Sequence, residues 1–208
     1  MKLTEMQVGG FVEQVASDSP APGGGSVAAL MAAGGAALLA MVAKLTVGKK
    51  KYQEHDALMR EVSQKADGLA RRLSELVDED TEAFNKVSAV FSMPKQTDDE
   101  KKARTRAMQE ALKAAAEVPM TVMETCLESL ELAESALGKS NASAASDLGV
   151  AALGLLAGIK GAWLNVKINV SGIKDEAYAK GMAEKGGALV SRAEALSAKV
   201  HDGVLAAL

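Results

Sequence analysis

The chain has 208 residues, 48% of them apolar but only 3% aromatic, one cysteine and a formal net charge of −3. That length gives one domain with a sizeable core or at most two small ones, and a composition this rich in alanine and poor in aromatics predicts packed helices rather than sheets. The small negative charge leaves no footprint for nucleic acid as a main partner, and a lone Cys126 excludes an internal disulfide and cysteine-rich metal sites and fits a reducing cytoplasm.

The opening MKLTEMQVGGFVEQ lacks an apolar h-region, so it is read as folded chain rather than a signal peptide. A short amphipathic helix is expected over Leu3 to Ala16, ending in SDSPAPGGG. A second opens at Ser26, an expected N-cap, and runs to about Val47 before Gly48. KKKYQEH follows, then a third helix over Asp56 to Phe91, closed by Pro94. Thr97 to Glu100 (TDDE) spells a capping box. The helix it opens is expected to reach Val118, with Pro119 kinking or restarting it and Gly138 as its stop. A long helix is predicted over Ala142 to Val170 and a last one from Asp175 to the end. No alternating β pattern of useful length and no internal repeat occurs. The expectation is an all-α, single-domain multi-helix bundle over residues 1–208, with long Ala/Gly-rich central helices.

Two stretches raise the question of a membrane. Val27 to Ala43 carries no charge, and Leu148 to Val166 carries only Lys160. A spanning helix needs roughly 20 strongly apolar residues. These are shorter and rich in alanine and glycine, so they are read as buried helices of a bundle outside any membrane.

PAPGGGSVAAL (Pro20 to Leu30) puts three glycines at a helix start. A dinucleotide fingerprint would need a strand before them and an acidic residue about 20 positions on. Here a helix and prolines precede, and no Asp or Glu occurs between Ser26 and Gln53. Two readings stay open: a tight corner capped by Ser26, or free backbone N–H groups lining a pocket for an anionic or carbonyl group.

On a helical wheel of about 100° per residue, Leu73, Leu76, Val77, Phe84 and Val87 form one apolar stripe. Asp80 falls in its middle, while Asp78 falls opposite, with Arg71, Ser74 and Glu82. A carboxylate in an apolar stripe is costly unless paired, hydrogen-bonded or protonated. Asp80 is therefore either a structural aspartate satisfied by a neighbour or a desolvated acid/base group.

The fifth long helix carries Asp147, Ala151, Gly154, Gly158, Gly161, Asn165 and Asn169 along one line. Mid-helix glycines cost about 1 kcal/mol each relative to alanine, so either another helix or a flat ligand approaches that face closely. Asp147, Asn165 and Asn169 need polar partners. Lys49, Lys50 and Lys51 beside Tyr52 read as a solvated helix end or a seat for an acidic tail. His55 and His201 are isolated, and no spacing indicates a metal site.

PAPGGGSVAAL, LTVGKKKY, VDEDTEAF, MPKQTDDEK, EVPM and SDLGVAAL…GAWLNVKIN together make the chain similar to the cyclodeaminase/cyclohydrolase family of tetrahydrofolate one-carbon enzymes, from about Phe11 to Tyr178. The resemblance implies an all-helical homodimer with a folate pocket between helices. It also implies an acid/base aspartate in a D-x-x-A-F motif, which is Asp80 and not Asp78. Gly23, Gly24, Gly25 and Ser26 would line the pocket. Asp147, Asn165 and Asn169 would join the substrate-binding set, the two asparagines because a pterin edge needs donors and acceptors. Lys49, Lys50 and Lys51 would meet the anionic glutamate tail of a folate that can be polyglutamylated. The tetrahydrofolate derivative would be the substrate, with no cofactor and no metal. LTVGKKKY and MPKQTDDEK look most like the stand-alone methenyltetrahydrofolate cyclohydrolases. Formimidoyltetrahydrofolate cyclodeaminase is the alternative, and a non-catalytic folate-binding or helical interaction protein a further one.

Overall fold

A computed structural model describes residues 2–208. The described residues form six helices, α1 (Val8–Val15), α2 (Gly24–Lys44), α3 (Asp56–Phe91), α4 (Asp98–Ala136), α5 (Ala145–Val170) and α6 (Glu176–Leu205), with short 3₁₀ turns before α1 at Leu3–Glu5, before α3 at Lys50–His55 and before α5 at Ala142–Ala144. Among the described residues there is no strand. Cross-helix pairs give the topology. Ser26 meets Asp80 while Lys44 meets Asp67, so α2 and α3 are antiparallel. Gly158 faces Ala32 while Gly35 faces Ala151, so α2 and α5 are antiparallel too. Arg192–Glu131 and Lys199–Glu134 ion pairs, at 2.6 and 2.5 Å, set α6 parallel to α4. Helices α2 to α6 thus alternate up and down around one core that includes Leu39, Met59, Leu73, Leu76, Met123 and Ile159.

The helix starts follow their chemistry. Thr97 accepts from the Glu100 N–H while the Glu100 carboxylate accepts from the Thr97 N–H, which completes the expected capping box. Gly138 has φ +71°, the left-handed stop at which a side chain would be strained. Three boundaries differ from expectation. The first expected helix is a 3₁₀ turn followed by α1. α2 starts at Gly24 with Gly23 as its N-cap, so Ser26 does not cap it. Ser26 instead lies fully buried in the first turn.

The third difference is at Pro119, which lies inside α4 without ending it. Proline has no N–H to give the carbonyl four residues earlier. That carbonyl, Ala115 O, accepts from the Asn169 side-chain amide at 2.9 Å. α5 therefore supplies the hydrogen bond that α4 cannot make.

The glycines of α5 answer to α2. A β-carbon on Gly158 would lie 2.7 Å from Ala32 Cβ and 3.0 Å from Ala28 O, and one on Gly161 would lie 3.0 Å from Ala28 Cβ. On α2, one at Gly35 would lie 2.8 Å from Ala151 O. The glycine part of the strip is a close helix contact rather than a ligand face. Of the two long apolar helices, α2 is mostly enclosed by its neighbours. α5 is not wholly buried as expected: Val150, Leu153, Leu164 and Ile168 are exposed along its outer side.

Candidate active site

At the end of the bundle where α2 begins, a cleft of about 290 Å³ opens between α2, α3, α4 and α5, near the lower end of small-molecule pockets. Pro20, Ala21 and Gly23 to Gly25 form one wall. Phe84, Val87 and Ile168 supply apolar surface, and Asn165 and Asn169 supply amides. Among the described residues, Asp80 is its one ionisable lining residue.

Asp80 is placed by both of its neighbouring helices. Leu73, Leu76 and Val77 are buried and lock the register of α3. The stripe read from the wheel then changes character: Phe84 is exposed and Val87 half-buried, both as cleft wall rather than core. Across the cleft floor, Ser26 Oγ donates to Asp80 Oδ2 at 2.9 Å and lies 3.1 Å from Thr81 Oγ1. A carboxylate only accepts, so the chain runs Thr81 hydroxyl to Ser26 hydroxyl to Asp80. Burial pushes the Asp80 carboxyl above the usual carboxylate range, and the hydroxyl and backbone of Ser26 offset part of that rise.

Glycine at position 25 is what lets the carboxyl reach this place. A β-carbon there would stand 2.1 Å from Asp80 Oδ1. At Gly24 the nearest atom would be Asn165 Nδ2, at an ordinary 3.5 Å. The Asn165 amide donates to Gly161 O at 2.9 Å, and Asn169 donates to Ala115 O and Asn165 O at 2.9 and 3.0 Å. Among the described residues, neither Oδ1 has a protein donor, so each can receive one from a ligand.

The structure brings together Gly23, Gly24, Gly25, Asp80, Asn165 and Asn169. Ser26 stands behind Asp80 rather than on the cleft wall. Lys49, Lys50 and Lys51 are not brought in. They follow the C-terminus of α2, and a 21-residue helix separates its ends by about 30 Å. There Lys49 and Lys50 border a separate groove with Asp56 and Arg60, and the Lys51 ammonium lies 5.4 Å from the centre of the Tyr52 ring. Asp147 lies at that far end as well, in the first turn of α5, where a carboxylate suits the helix dipole. Asp78 is not on a solvated face: it is half-buried and accepts from Leu3 N at 2.6 Å and Thr4 Oγ1 at 2.8 Å, tying down the N-terminal turn. Thr81 and Ala115 were not legible as site residues. Thr81 carried no signal beyond adjacency to Asp80; for the Ala115 carbonyl the signal that could have found it is Pro119, four residues on.

A family model described as formiminotransferase-cyclodeaminase matches residues 7–187. A methenyltetrahydrofolate cyclohydrolase of Methylorubrum extorquens is 42% identical, with 93% of each chain covered. The formimidoyltransferase-cyclodeaminase of Sus scrofa is 36% identical over 92% of this chain, which spans only 36% of that longer protein. The crystal structure of formiminotetrahydrofolate cyclodeaminase from Thermotoga maritima superposes with a TM-score of 0.88 at 29% identity, covering 99% of this chain and 98% of that one. With most of its length matched by the family model, and with a relative of 42% identity that it covers almost entirely, the chain belongs to the formiminotransferase-cyclodeaminase family.

Proposed function

We propose that this chain is a methenyltetrahydrofolate cyclohydrolase, converting 5,10-methenyltetrahydrofolate to 10-formyltetrahydrofolate, with Asp80 as its acid/base group. The observation that carries the residue assignment is a single desolvated carboxyl in an otherwise uncharged cleft. The similarity to a relative of that activity along nearly its whole length supports the reaction.

The chemistry follows from the charge. The methenyl bridge is a delocalised cation, and an ionised Asp80 draws it into the cleft. Water attacks the bridge carbon and gives a proton to Asp80, leaving a neutral carbinolamine. The bond from that carbon to N5 then breaks, and Asp80 returns its proton to N5. The remaining hydroxyl proton leaves to solvent, and the formyl group stays on N10. One carboxyl serves both steps, which suits a pKa that burial raises above the usual carboxylate range. In this reading Asn165 and Asn169, whose amides line the cleft, hold the pterin edge. The tetrahydrofolate is the substrate, and the chain's own groups supply the catalysis.

The cyclodeaminase reaction is the second reading, favoured by the Thermotoga maritima relative of equal length. Purified protein offered methenyl- and formimidoyltetrahydrofolate side by side decides between them. Turnover of the first alone supports the cyclohydrolase, ammonia release from the second supports the cyclodeaminase, and binding without turnover leaves a non-catalytic folate binder.

We further propose that the chain acts as a homodimer. Leu30 and Met31 of α2 and Val150, Leu153 and Leu164 of α5 are exposed on two helices that pack together, and apolar surface gathered in this way suits association. Sedimentation that gives a monomer, unchanged by Leu164→Glu, would rule this out.

A further inference from the structure

A second groove lies beyond the cleft towards the end of the bundle and shares no lining residue with it. Its walls extend the same three elements. On α3, Phe91 lies one turn beyond Val87; on α4, Met108 lies about two turns before Ala115; Lys174 follows the C-terminus of α5 beyond Asn169. The chemistry changes along the way. The first chamber holds one carboxyl and no cation, whereas the second is bordered by Lys95, Lys101, Arg104 and Lys174 and by no acidic residue.

The nearby acids are already engaged. Asp98 pairs with Lys101 at 3.1 Å, Asp99 lies 3.8 Å from Lys102, Glu100 is held in the capping box, and Asp175 pairs with Lys113 at 2.7 Å. Among the described residues, Lys95, Arg104 and Lys174 have no carboxylate partner. Arg104 is tied to the end of α3, donating to Val90 O at 3.1 Å, and Gln109 accepts from Lys174 N at 2.6 Å, which holds the Lys174 backbone against α4.

From this we infer that the second groove receives the carboxylates at the glutamate end of the substrate, with Lys95 and Lys174 as the contacting cations. The inference rests on the folate reading above and deepens it. A methenylfolate is cationic at its ring bridge and anionic at its tail, with an aminobenzoyl spacer between. The two chambers carry the opposite charges in the matching order. The assignment also replaces Lys49, Lys50 and Lys51, which lie at the far end of α2.

The test compares methenyltetrahydrofolate monoglutamate with its γ-linked polyglutamate on wild type, Lys95→Ala/Lys174→Ala and Lys49→Ala/Lys50→Ala/Lys51→Ala. The double variant should raise KM for the polyglutamate by roughly three- to tenfold, the worth of two exposed ion pairs, with kcat unchanged. It should raise KM for the monoglutamate less, and the difference should shrink with added salt. An unchanged tail dependence in the double variant overturns the inference, and loss of that dependence in the triple variant moves the tail to the other end of α2. Direct binding of p-aminobenzoyl-polyglutamate, which has no pterin, separates the two failures. If the protein turns over no folate yet binds this probe through Lys95 and Lys174, the reaction is misassigned and the groove is not. Turnover with no lysine-dependent probe binding fails the groove alone.

Discussion

Gly25 and Asp80 occupy one space: a methyl group on Gly25 would sit 2.1 Å from the Asp80 carboxylate. Contact this close between a helix start and a carboxyl means that Gly25→Ala must displace Asp80. Turnover should fall about as far as on loss of the carboxyl itself, by 10² to 10⁴-fold, with helical circular dichroism retained. Gly24→Ala meets only an ordinary contact and should keep most activity. Equal activity of the two variants would separate Asp80 from the chemistry.

Asp80→Asn keeps the shape and removes the titrating group. Turnover of methenyltetrahydrofolate should drop by about 10² to 10⁴-fold. The stability change has a definite sign. Folding raises the Asp80 pKa, so the folded state binds this proton more tightly, and wild type loses relative stability as pH rises through the folded value. The amide has no such loss. Melting temperatures should therefore favour the variant near neutral pH and converge in acid. A variant destabilised by about 3–5 kcal/mol would instead mark a broken structural pair.

The hydroxyl chain from Thr81 to Ser26 to Asp80 predicts a movement of the pH profile. If ionised Asp80 is the base, kcat/KM falls in acid through its pKa. The Ser26 hydrogen bonds hold that pKa down, so Ser26→Ala should shift the acid limb to higher pH. Thr81→Val, which removes a hydroxyl bonded to Ser26 Oγ rather than to the Asp80 carboxyl, should shift it less in the same direction. Limbs that stay in place in both variants would leave the chain without a role in tuning Asp80.

Pro119 and Asn169 should be coupled. Asn169→Ala leaves Ala115 O without the donor that proline cannot supply, at a cost of about 1–3 kcal/mol for an unsatisfied buried group. In a Pro119→Ala background the helix provides its own N–H, and the cost should shrink. Denaturation of the four proteins in this cycle measures the coupling, and strictly additive effects would contradict it.

The α2–α5 contact gives a contrast between glycines. Gly158→Ala forces a methyl to 2.7 Å from Ala32 Cβ and 3.0 Å from a backbone oxygen, and should destabilise by about 1–3 kcal/mol. Gly68→Ala on α3 meets nothing within 4 Å and should stabilise by up to about 1 kcal/mol. Thermal melts of both variants check the signs.

What the sequence determined by itself was local or periodic. The 3.6-residue period and end signals placed α3 over Asp56–Phe91, and Thr97 with Glu100 and Gly138 marked the ends of α4, because capping and left-handed stops depend on a few adjacent residues. The same period made Asp80 stand out, since a carboxylate in an apolar stripe conflicts with its surroundings whatever lies opposite. Tertiary structure decided everything that depends on which helix ends meet. Lys49, Lys50, Lys51 and Asp147 have chemistry suited to a folate and lie a helix length from the cleft. The glycine strip of α5 admits α2 instead of a ligand. Proline inside α4 is tolerated because an asparagine distant in sequence supplies the missing donor. Gly25 reads as one of three equivalent glycines until α3 is packed against it. Non-local contacts carry no period and no adjacent signal, so only the packed bundle reveals that Gly25 makes room for Asp80.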